Sequence, residues 1–368
     1  MPGDPPAPST RLVLVYGGCS AEHEVSCISA RHVLDAVDRR RYDVAVLGVG
    51  LDGRWVDATQ AVAGPEASSD NAPVAGAGLP SPGELHLPEA DALRALAGGA
   101  PAATVVFPLI HGPMGEDGTL QGLLEVAGLA YVGSGVLGSA IAMDKGVAKA
   151  LLGAAGLPQV RYLVLRTDEI GEDTGGVIEQ SLGWPVFVKP ANLGSTIGIS
   201  RAEGPEALPS SLALALRYDE YVVIEEQVAA REIELGVVGH VLLAVTEPGE
   251  PLPSREFYDF EDKYLMGTAG LAIPASLPAS VATEAKDLAL RACRALRVEG
   301  MARVDLFYEE EGRGLLVNEI NTVPGFTAIS MYPMLWRAAG ADPAMLIDAL
   351  VAAARSRHDR RRRFETTR

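Results

Sequence analysis

The sequence has few cysteines and no long apolar run. Its three cysteines, Cys19, Cys27 and Cys293, show no CxxC spacing, which argues against a disulfide framework or a zinc site and predicts buried thiols. No stretch approaches the roughly 18 apolar residues of a membrane span, and the start MPGDPPAPST lacks the charged and apolar regions of a signal peptide. We therefore expect a cytoplasmic protein with no membrane partner.

Basic residues are also in deficit. The formal net charge of -17 argues against a nucleic-acid partner, because affinity for phosphate backbones comes mainly from clustered Lys and Arg. One basic segment, RSRHDRRRRFETTR, ends the chain, after the last apolar helix. We expect residues 357–368, like residues 1–9, to form a flexible tail.

The chain has enough apolar residues for more than one core. Of its 368 residues, 48% are hydrophobic and 21% are charged, which is typical of a globular protein with two or three cores. Up to about residue 140, apolar runs such as RLVLVY and TVVFPLI alternate with helical patterns, which predicts a parallel sheet with crossover helices. Within this part, residues 57–103 are rich in Ala, Gly and Pro and are expected to form a surface insertion. A second region begins with a predicted helix over residues 136–154, and a third extends from about residue 231.

Two predicted strands near the end of the chain carry polar side chains on one face. In MARVDLFY, alternation places Arg303 and Asp305 on the same face, and in LLVNEINTVPG it does so for Glu319 and Asn321. If these strands pair, Asp305, Glu319 and Asn321 form an all-oxygen set of the kind that holds magnesium on nucleotides. The alternative is a solvated sheet face; the rigid turn Val323-Pro324-Gly325 after the second strand favours the metal.

A loop of small residues follows another predicted strand. In WPVFVKPANLGSTIGIS the strand ends at Lys189, and small residues from Gly194 to Gly198 let backbone N–H groups approach phosphate oxygens. The segment lacks the GxxxxGK[ST] spacing and opens no helix, so it is not a P-loop. Lys145, at the start of a helix, is a second candidate phosphate ligand; the alternative is an exposed helix lysine.

Three acids are candidates for the nucleoside. Glu225 and Glu226 end the strand in VVIEEQV, where they offer a carboxylate and backbone groups to an adenine edge. Glu232 is placed to accept a ribose hydroxyl. Taken singly, each is equally consistent with an ordinary surface acid.

Seven motifs follow one another along the chain: YGGCSAEHEVS, HGPMGEDGTLQG, MDK, VKPANLGSTIGIS, IEEQV, YDFEDKY, and RVDLFY with NEINTVPGFT. In this order they closely resemble the ATP-grasp D-alanine:D-alanine ligases, from Arg11 to about Ala354. The resemblance implies an α/β (α+β) fold: a Rossmann-like N-terminal domain over residues 10–140, then two ATP-grasp subdomains over residues 141–230 and 231–356. It also implies ATP and two Mg²⁺ or Mn²⁺ ions, D-alanine as substrate, a role in peptidoglycan synthesis and a homodimer.

The resemblance assigns roles to individual residues. Glu22 would anchor the ammonium of the first D-alanine and connect through Ser195 to Tyr264, and Arg303 with the N–H of Gly325 would stabilise the tetrahedral oxyanion. The implied site residues are, for catalysis, Glu22, Ser195, Tyr264, Arg303 and Gly325; for ATP, Lys145, Lys189, Glu225, Glu226, Val228, Glu232 and Lys263; for the metal, Asp305, Glu319 and Asn321; and for the two substrates, Glu22, His111, Arg303, Ser330 and Met331.

One loop bears on the choice of second substrate. By the resemblance, the segment FYDFEDKYLMG would close over the site and exclude water. Relatives that make D-alanyl-D-lactate replace the tyrosine or lose the KY pattern, so the resemblance implies that Lys263-Tyr264 favours an amine as the second nucleophile. Two departures from the family pattern, Phe260 and the residues of ANLGST, put loop closure or affinity in doubt but affect no central role.

Three other functions compete with this interpretation. A D-alanyl-D-lactate or D-alanyl-D-serine ligase of the same fold would differ only in the second-substrate pocket. A non-catalytic ATP-binding sensor would require a missing ligand, whereas every expected one is present. A dehydrogenase is disfavoured because Gly17-Gly18-Cys19 does not continue as GxGxxG.

Overall fold

Apolar runs from the first part of the chain form a five-stranded sheet. The computed structural model describes residues 10–59, 94–96, 103–252 and 270–365, and this sheet has the order β3-β2-β1-β4-β5. Four of the strands are parallel and β3 is an antiparallel edge, which confirms the predicted parallel sheet. The strands are β1 (Thr10–Gly17), β2 (Tyr42–Val49), β3 (Trp55–Asp57), β4 (Thr104–Pro108) and β5 (Ala130–Tyr131).

This sheet is buried on both faces. Along β1, Leu12 and Leu14 belong to one apolar cluster while Val13 and Val15 belong to another on the opposite face. From Leu12 to Tyr16 this strand is apolar and buried at every position, and such a run can only be accommodated between two layers. The helices of this part are α1 (His23–Ala36) and α2 (Thr119–Val126).

The middle of the chain forms an antiparallel sheet with the order β6-β9-β7-β8. Its strands are β6 (Tyr162–Arg166), β7 (Val186–Pro190), β8 (Ser200–Ala202) and β9 (Tyr221–Glu226). The helices are α3 (Val136–Met143), α4 (Lys145–Ala154), α5 (Thr174–Ser181) and α6 (Leu208–Ala215), with a 3₁₀ turn at Thr167–Glu169.

The prediction of a single helix over residues 136–154 is wrong. The backbone of Asp144 is extended and divides this stretch into α3 and α4, and the Asp144 side chain accepts a hydrogen bond from the Val147 N–H. Asp144 is thus the N-cap of α4, and Lys145 is its first residue.

The third part of the chain contains a sheet with the order β11-β10-β14-β15. Its strands are β10 (Arg231–Gly239), β11 (Leu243–Val245), β14 (Gly300–Glu309) and β15 (Gly314–Asn321), and a separate pair joins β12 (Glu250–Leu252) to β13 (Gly270–Ala272). The helices are α7 (Ala279–Ala295), α8 (Met331–Ala338) and α9 (Pro343–Arg361). Helix α7 packs its apolar face, including Ala289 and Cys293, against this sheet.

The prediction of a flexible tail from residue 357 is wrong as far as Arg361, where α9 ends. Arg357 is 3% exposed and donates hydrogen bonds to the carbonyl oxygens of Tyr131 and Gly133, so the basic segment docks on the first sheet. Residues 1–9 and 366–368 lie outside the described part of the chain.

Most of the predicted surface insertion at residues 57–103 also lies outside the described residues. Its described parts are not all on the surface, because Leu96 is fully buried in the core of the first sheet. Arg11 also donates to the Ala95 carbonyl oxygen at 3.0 Å. This short stretch therefore contributes to the core, although the small residues around it predicted a surface insertion.

The three cysteines are free, as predicted, but they differ in exposure. Cys293 is buried, and burial raises the pKa of its thiol to about 12. Cys19 is exposed, which contradicts the prediction of buried thiols for that residue. Among the described helices, none combines the length and the apolar character needed to cross a membrane.

Candidate active site

The two polar strands predicted to pair are β14 and β15. They run antiparallel with Asp305 opposite Glu319 and Arg303 opposite Asn321, which confirms the expected pairing. The amide nitrogen of Asn321 donates to a carboxylate oxygen of Asp305 at 2.9 Å. An irregularity after Asp305 shifts the register, so that the next pair joins Leu306 to Val317. Such bulges commonly re-aim side chains beside functional sites.

Arg303 is held by two carboxylates. Its Nε and Nη2 atoms each lie 2.7 Å from an oxygen of Asp305, and its Nε lies 2.9 Å from Glu234. Glu234 comes from β10, where it faces Asp305 across the sheet. Glu234 was not among the residues predicted from the sequence, although alternation in REIELGVV places it on the face of Glu232; its partner follows only from the pairing of β10 with β14.

Lys145, Lys149, Lys189, Glu225 and Glu319 line one small cavity. Burial lowers the pKa of Lys145, with Glu319 acting in the opposite direction. Burial alone would likewise lower the pKa of Lys189, but the carboxylate of Glu225 outweighs it and raises the pKa. Three lysines and two carboxylates line this cavity, and the excess of basic groups suits a polyanion such as a triphosphate.

The loop of small residues is joined to the start of α4. The backbone N–H of Lys145 donates to the Ala191 carbonyl at 3.0 Å, and its Nζ donates to the Leu193 carbonyl at 2.5 Å. Ser195 and Thr196 both have left-handed backbone conformations, with φ of 54° and 58°. Non-glycine residues adopt this region at a cost and cluster at functional sites.

Glu22 connects this loop to the first sheet. It lies at the start of α1, is 8% exposed, and accepts a hydrogen bond from Ser195 Oγ, so the predicted contact is present. Two glycines make room for its carboxylate: a Cβ at Gly112 would lie 2.8 Å from Glu22 Oε2, and one at Gly194 would lie 3.1 Å away. Three motifs that are distant in sequence thus meet at one carboxylate. Tyr264 and Lys263 lie outside the described residues.

His111 is buried, with 2% of its surface exposed. Its Nδ1 lies 2.9 Å from the Val323 carbonyl oxygen and its Nε2 lies 3.2 Å from Ser29 Oγ. Burial alone would lower the pKa of His111, but Glu116, 3.6 Å away, raises it. No role was predicted for Glu116, although it lies in HGPMGEDG; its proximity to His111 depends on the turn between them.

The turn after β15 is anchored in the core by Phe326. This side chain is fully buried, its ring lies 5.6 Å from that of Phe107 in an edge-on arrangement, and its backbone N–H donates to Ser29 Oγ. Gly325 is therefore held in a buried turn beside the paired strands. The predicted second-substrate residues, Ser330 and Met331, cap and begin α8.

The residues predicted for the nucleoside lie at the junction of β9 and β10. The Glu226 side chain is fully engaged: it accepts bonds from the Arg161 N–H and Nε at 2.7 Å and from Arg313 Nη1 at 2.6 Å. Its backbone N–H is engaged as well, since it donates to the Arg161 carbonyl oxygen at 3.1 Å. Val228 is partly exposed just after β9, and Glu232 lies on β10, where its charge contributes to raising the pKa of Lys189.

The residues predicted for a metal offer oxygen ligands only. In the part of the chain that the structure describes, no three His, Cys, Asp or Glu side chains gather as a metal site. The predicted set instead has two carboxylates, Asp305 and Glu319, and the amide oxygen of Asn321. This chemistry fits a hard cation that takes its remaining ligands from water and phosphate.

Comparison with known proteins matches both halves of the chain. The family model described as "D-ala D-ala ligase N-terminus" matches residues 11–134, and "D-ala D-ala ligase C-terminus" matches residues 151–352. The chain is 44% identical over 348 residues to the D-alanine--D-alanine ligase of Deinococcus radiodurans, covering 94% of this chain and 98% of that one. It is 41% identical over 361 residues to the protein of the same name from Geobacillus thermodenitrificans, with coverage of 97% and 99%.

Two solved structures are similar over nearly the whole chain. The D-alanine-D-alanine ligase from Coxiella burnetii has a TM-score of 0.76 at 30% identity, covering 96% of this chain and 97% of that one. The VanG D-Ala:D-Ser ligase from Enterococcus faecalis also has a TM-score of 0.76, at 28% identity, with coverage of 94% and 99%.

Proposed function

This chain belongs to the D-alanine–D-alanine ligase family, and we propose that it joins two D-alanine molecules with ATP as the energy source, for peptidoglycan precursor synthesis. The observation that carries the proposal is one line of contacts through the site. Glu22 bonds to Ser195, whose loop bonds through Leu193 to Lys145, and Lys145 lines a cavity with Glu319. The residues proposed for the substrate anchor, the phosphates and the metal are thereby adjacent.

The reaction has two steps. A carboxylate oxygen of the first D-alanine attacks the γ-phosphorus of ATP, giving D-alanyl phosphate and ADP. The amino group of the second D-alanine, after losing a proton, then attacks the acyl carbon. The tetrahedral intermediate expels phosphate and leaves D-alanyl-D-alanine.

Glu22, Ser195 and His111 hold the first D-alanine. Its ammonium is partly desolvated in the site, so a carboxylate is needed to pair with it, and Glu22 supplies one that Ser195 orients. By the resemblance alone, Tyr264 would extend this connection. The resemblance implies that His111 lies near the substrate carboxylate, and Glu116 raises the pKa of this histidine against the effect of burial, which favours the protonated ring.

Arg303 and Gly325 stabilise the oxyanion of the tetrahedral intermediate. Arg303 is held in place by Asp305 and Glu234, so little reorganisation is needed when charge develops. The N–H of Gly325 adds a second donor from a turn anchored by Phe326. Ser330 and Met331 form the pocket for the second carboxylate.

ATP lies along the cavity lined by the lysines. Lys145, Lys189 and Lys263 neutralise the phosphates, the Glu225 side chain, the Glu226 backbone and Val228 contact the adenine, and Glu232 accepts a ribose hydroxyl. Asp305, Glu319 and Asn321 would hold the two Mg²⁺ or Mn²⁺ ions that the resemblance implies. When bound, such ions neutralise charge on the transferring phosphoryl group.

We propose three further properties from the same resemblance. The chain divides into domains at residues 10–140, 141–230 and 231–356, each of which contains one of the larger sheets. The protein is a homodimer and lies in the cytoplasm. Its mass in solution, measured by light scattering, distinguishes a dimer from a monomer.

A second candidate is a ligase that prefers D-serine as the second substrate. It is favoured by the D-Ala:D-Ser ligase from Enterococcus faecalis, whose structure matches with a TM-score equal to that of the D-alanine-D-alanine ligase from Coxiella burnetii. The two activities would differ in the second-substrate pocket, to which the resemblance assigns Ser330 and Met331.

A substrate panel tests these proposals. Phosphate release and product mass are measured with ATP and D-alanine alone, then with D-alanine plus D-serine or D-lactate. We expect turnover to D-alanyl-D-alanine with D-alanine alone. Turnover only in the presence of D-serine would establish the second candidate, turnover only with D-lactate would establish a D-alanyl-D-lactate ligase, and ATP binding without any turnover would establish the non-catalytic sensor.

A further inference from the structure

Lysine is rare in this chain. Of its 31 basic residues only five are lysines, at positions 145, 149, 189, 263 and 286, and the others are arginines. Lys286 makes an ion pair with Glu247 on the surface of α7, at 2.7 Å. Three of the others line the small cavity beside Glu319, and one of these three, Lys149, has no role in the proposed reaction.

Lys149 is buried one helical turn after Lys145 on α4. It is 2% exposed, its Nζ lies 2.9 Å from Glu225 Oε1, and it also lies 5.4 Å from the centre of the Tyr162 ring. The other oxygen of Glu225, Oε2, lies 2.6 Å from Lys189 Nζ. One carboxylate, itself 3% exposed, is thus shared by two ammonium groups, one on each oxygen.

Glu225 and the phosphates compete for the ammonium group of Lys189. In the structure it pairs with Glu225, while the proposed reaction requires it at the phosphates. When it moves to a phosphate oxygen, Glu225 Oε2 is released and a buried carboxylate would stand alone, which is costly unless another cation remains. Lys149 is that cation, because its contact is with the opposite oxygen.

We propose that Lys149 is a positioning residue for base selection: it fixes Glu225 by Oε1, so that Oε2 accepts a hydrogen bond from the exocyclic amino group of adenine. This inference rests on the proposed ATP-dependent function. A base with an oxygen in place of that amino group would present an acceptor to the carboxylate and would be rejected.

The geometry also explains why position 149 is a lysine in a chain whose basic residues are mostly arginines. An ammonium is a compact point charge that can contact one carboxylate oxygen and leave the other for the base. A guanidinium favours a two-pronged contact with both oxygens, which would compete with adenine for Oε2.

The test compares ATP with inosine triphosphate, which has an oxygen in place of the adenine amino group. Steady-state kinetics with D-alanine are measured for the wild type, Lys149→Met, Lys149→Arg and the surface control Lys286→Met. We expect the wild type and the control to prefer ATP by about tenfold or more in kcat/KM, as loss of a charged hydrogen bond predicts. In Lys149→Met this preference falls to within about twofold, and KM for ATP rises about tenfold while kcat changes by less than about threefold.

Lys149→Arg should lose the base preference as well, despite keeping the charge. An unchanged ATP preference in Lys149→Met, or a wild type that does not prefer ATP, would overturn the proposal. A purely structural role predicts equal losses with the two nucleotides.

A double-mutant cycle with Glu225→Gln distinguishes a role of Lys149 in base selection from a folding defect. The double variant Lys149→Met/Glu225→Gln removes both buried charges, and circular dichroism establishes that it is folded. If Lys149 acts through Glu225, the double variant has the same base preference as Glu225→Gln alone. A further loss of preference in the double variant contradicts the proposal.

Nucleotide binding without D-alanine separates this inference from the proposed function. Calorimetric titration of ATP and inosine triphosphate into each variant needs no turnover. If D-alanine gives no turnover but Lys149→Met still loses its preference in binding, the ligase proposal fails and the inference stands. If D-alanine is turned over but the binding preference of Lys149→Met is unchanged, the inference fails and the ligase proposal stands.

Discussion

Glu319 shows how much a single side chain contributes to the proposed chemistry. It faces Asp305 across β14 and β15 and also lines the cavity of the lysines. Glu319→Gln keeps the shape but removes the charge that would hold a divalent cation. We expect ATP to bind within about threefold of the wild-type affinity while kcat falls about 100-fold or more.

The measurement is phosphate release as a function of magnesium concentration, together with calorimetric titration of ATP. Glu311→Gln, at the exposed turn between the same two strands, is the matched control and should behave as the wild type. Equal kcat values for the two variants would remove Glu319 from the metal set.

Glu225 gives a prediction about pH. Burial alone would raise the pKa of this carboxyl, but Lys149 and Lys189 outweigh burial and lower it from 4.5 to about 2. A carboxyl with a lower pKa in the folded state stabilises the fold above its unfolded pKa, and this stabilisation is lost as the pH falls. The contribution of Glu225 is therefore complete above about pH 4.5 and disappears toward pH 2.

We expect the free energy of unfolding of the wild type to fall more steeply between about pH 5 and pH 3 than that of Glu225→Gln. The reason is that the glutamine in the variant does not titrate. Urea unfolding at a series of pH values measures both slopes. Parallel slopes would mean that Glu225 keeps an ordinary pKa in the folded protein.

At the scale of elements, the start of β14 is fitted closely to the loop after β5. Gly300 has a φ of 82°, and a Cβ there would lie 2.3 Å from the Gly133 carbonyl oxygen. Gly300→Ala should therefore lower the free energy of unfolding by about 2 kcal/mol or more, from backbone strain and the clash together. The strand so displaced carries Arg303 and Asp305, and activity should fall with stability.

Gly122 provides the contrasting substitution. It lies inside α2, and a Cβ there would meet no atom of the described residues within 4 Å. Gly122→Ala should raise the free energy of unfolding by about 0.5–1 kcal/mol, because alanine favours the helix. Thermal and urea unfolding of Gly300→Ala and Gly122→Ala measure both changes. Decreases of similar size in the free energy of unfolding would contradict the explanation given for Gly300.

The elements also show where sequence patterns are reliable. The apolar runs RLVLVY and TVVFPLI predicted β1 and β4 of the first sheet, but no run predicted the short edge strand β3. Alternation predicted which side chains of β14 and β15 share a face. Both patterns arise from local backbone geometry. The break at Asp144 was missed, since helical periodicity is nearly continuous across it. That break places Lys145 at the start of α4, where both its backbone and its side chain reach the loop of Ser195.

At the scale of the whole molecule, the last helix fastens the third part of the chain to the first. Arg357 donates to the carbonyl oxygens of Tyr131 and Gly133, and its guanidinium lies 3.9 Å from the centre of the Tyr131 ring. Arg357→Leu would leave two buried carbonyl groups without these donors. We expect the free energy of unfolding to fall by about 2–4 kcal/mol.

The exposed Arg363, in the same basic segment, is the matched control, and Arg363→Leu should change the stability by less than about 0.5 kcal/mol. Urea unfolding of the two variants distinguishes them. Equal and small effects would mean that the basic segment is a tail, as the sequence alone indicated.

The sequence by itself determined the types of chemistry in this protein. Local alternation and motif order were enough to indicate the ligase family, the carboxylates and amide of Asp305, Glu319 and Asn321, and the partnership of Glu22 with Ser195. Tertiary structure decided which groups meet: Glu234 with Arg303, and Lys149 with Glu225. The physical reason is that each of these contacts joins separate elements, and packing between elements is set by the fold as a whole and leaves no local period in the sequence.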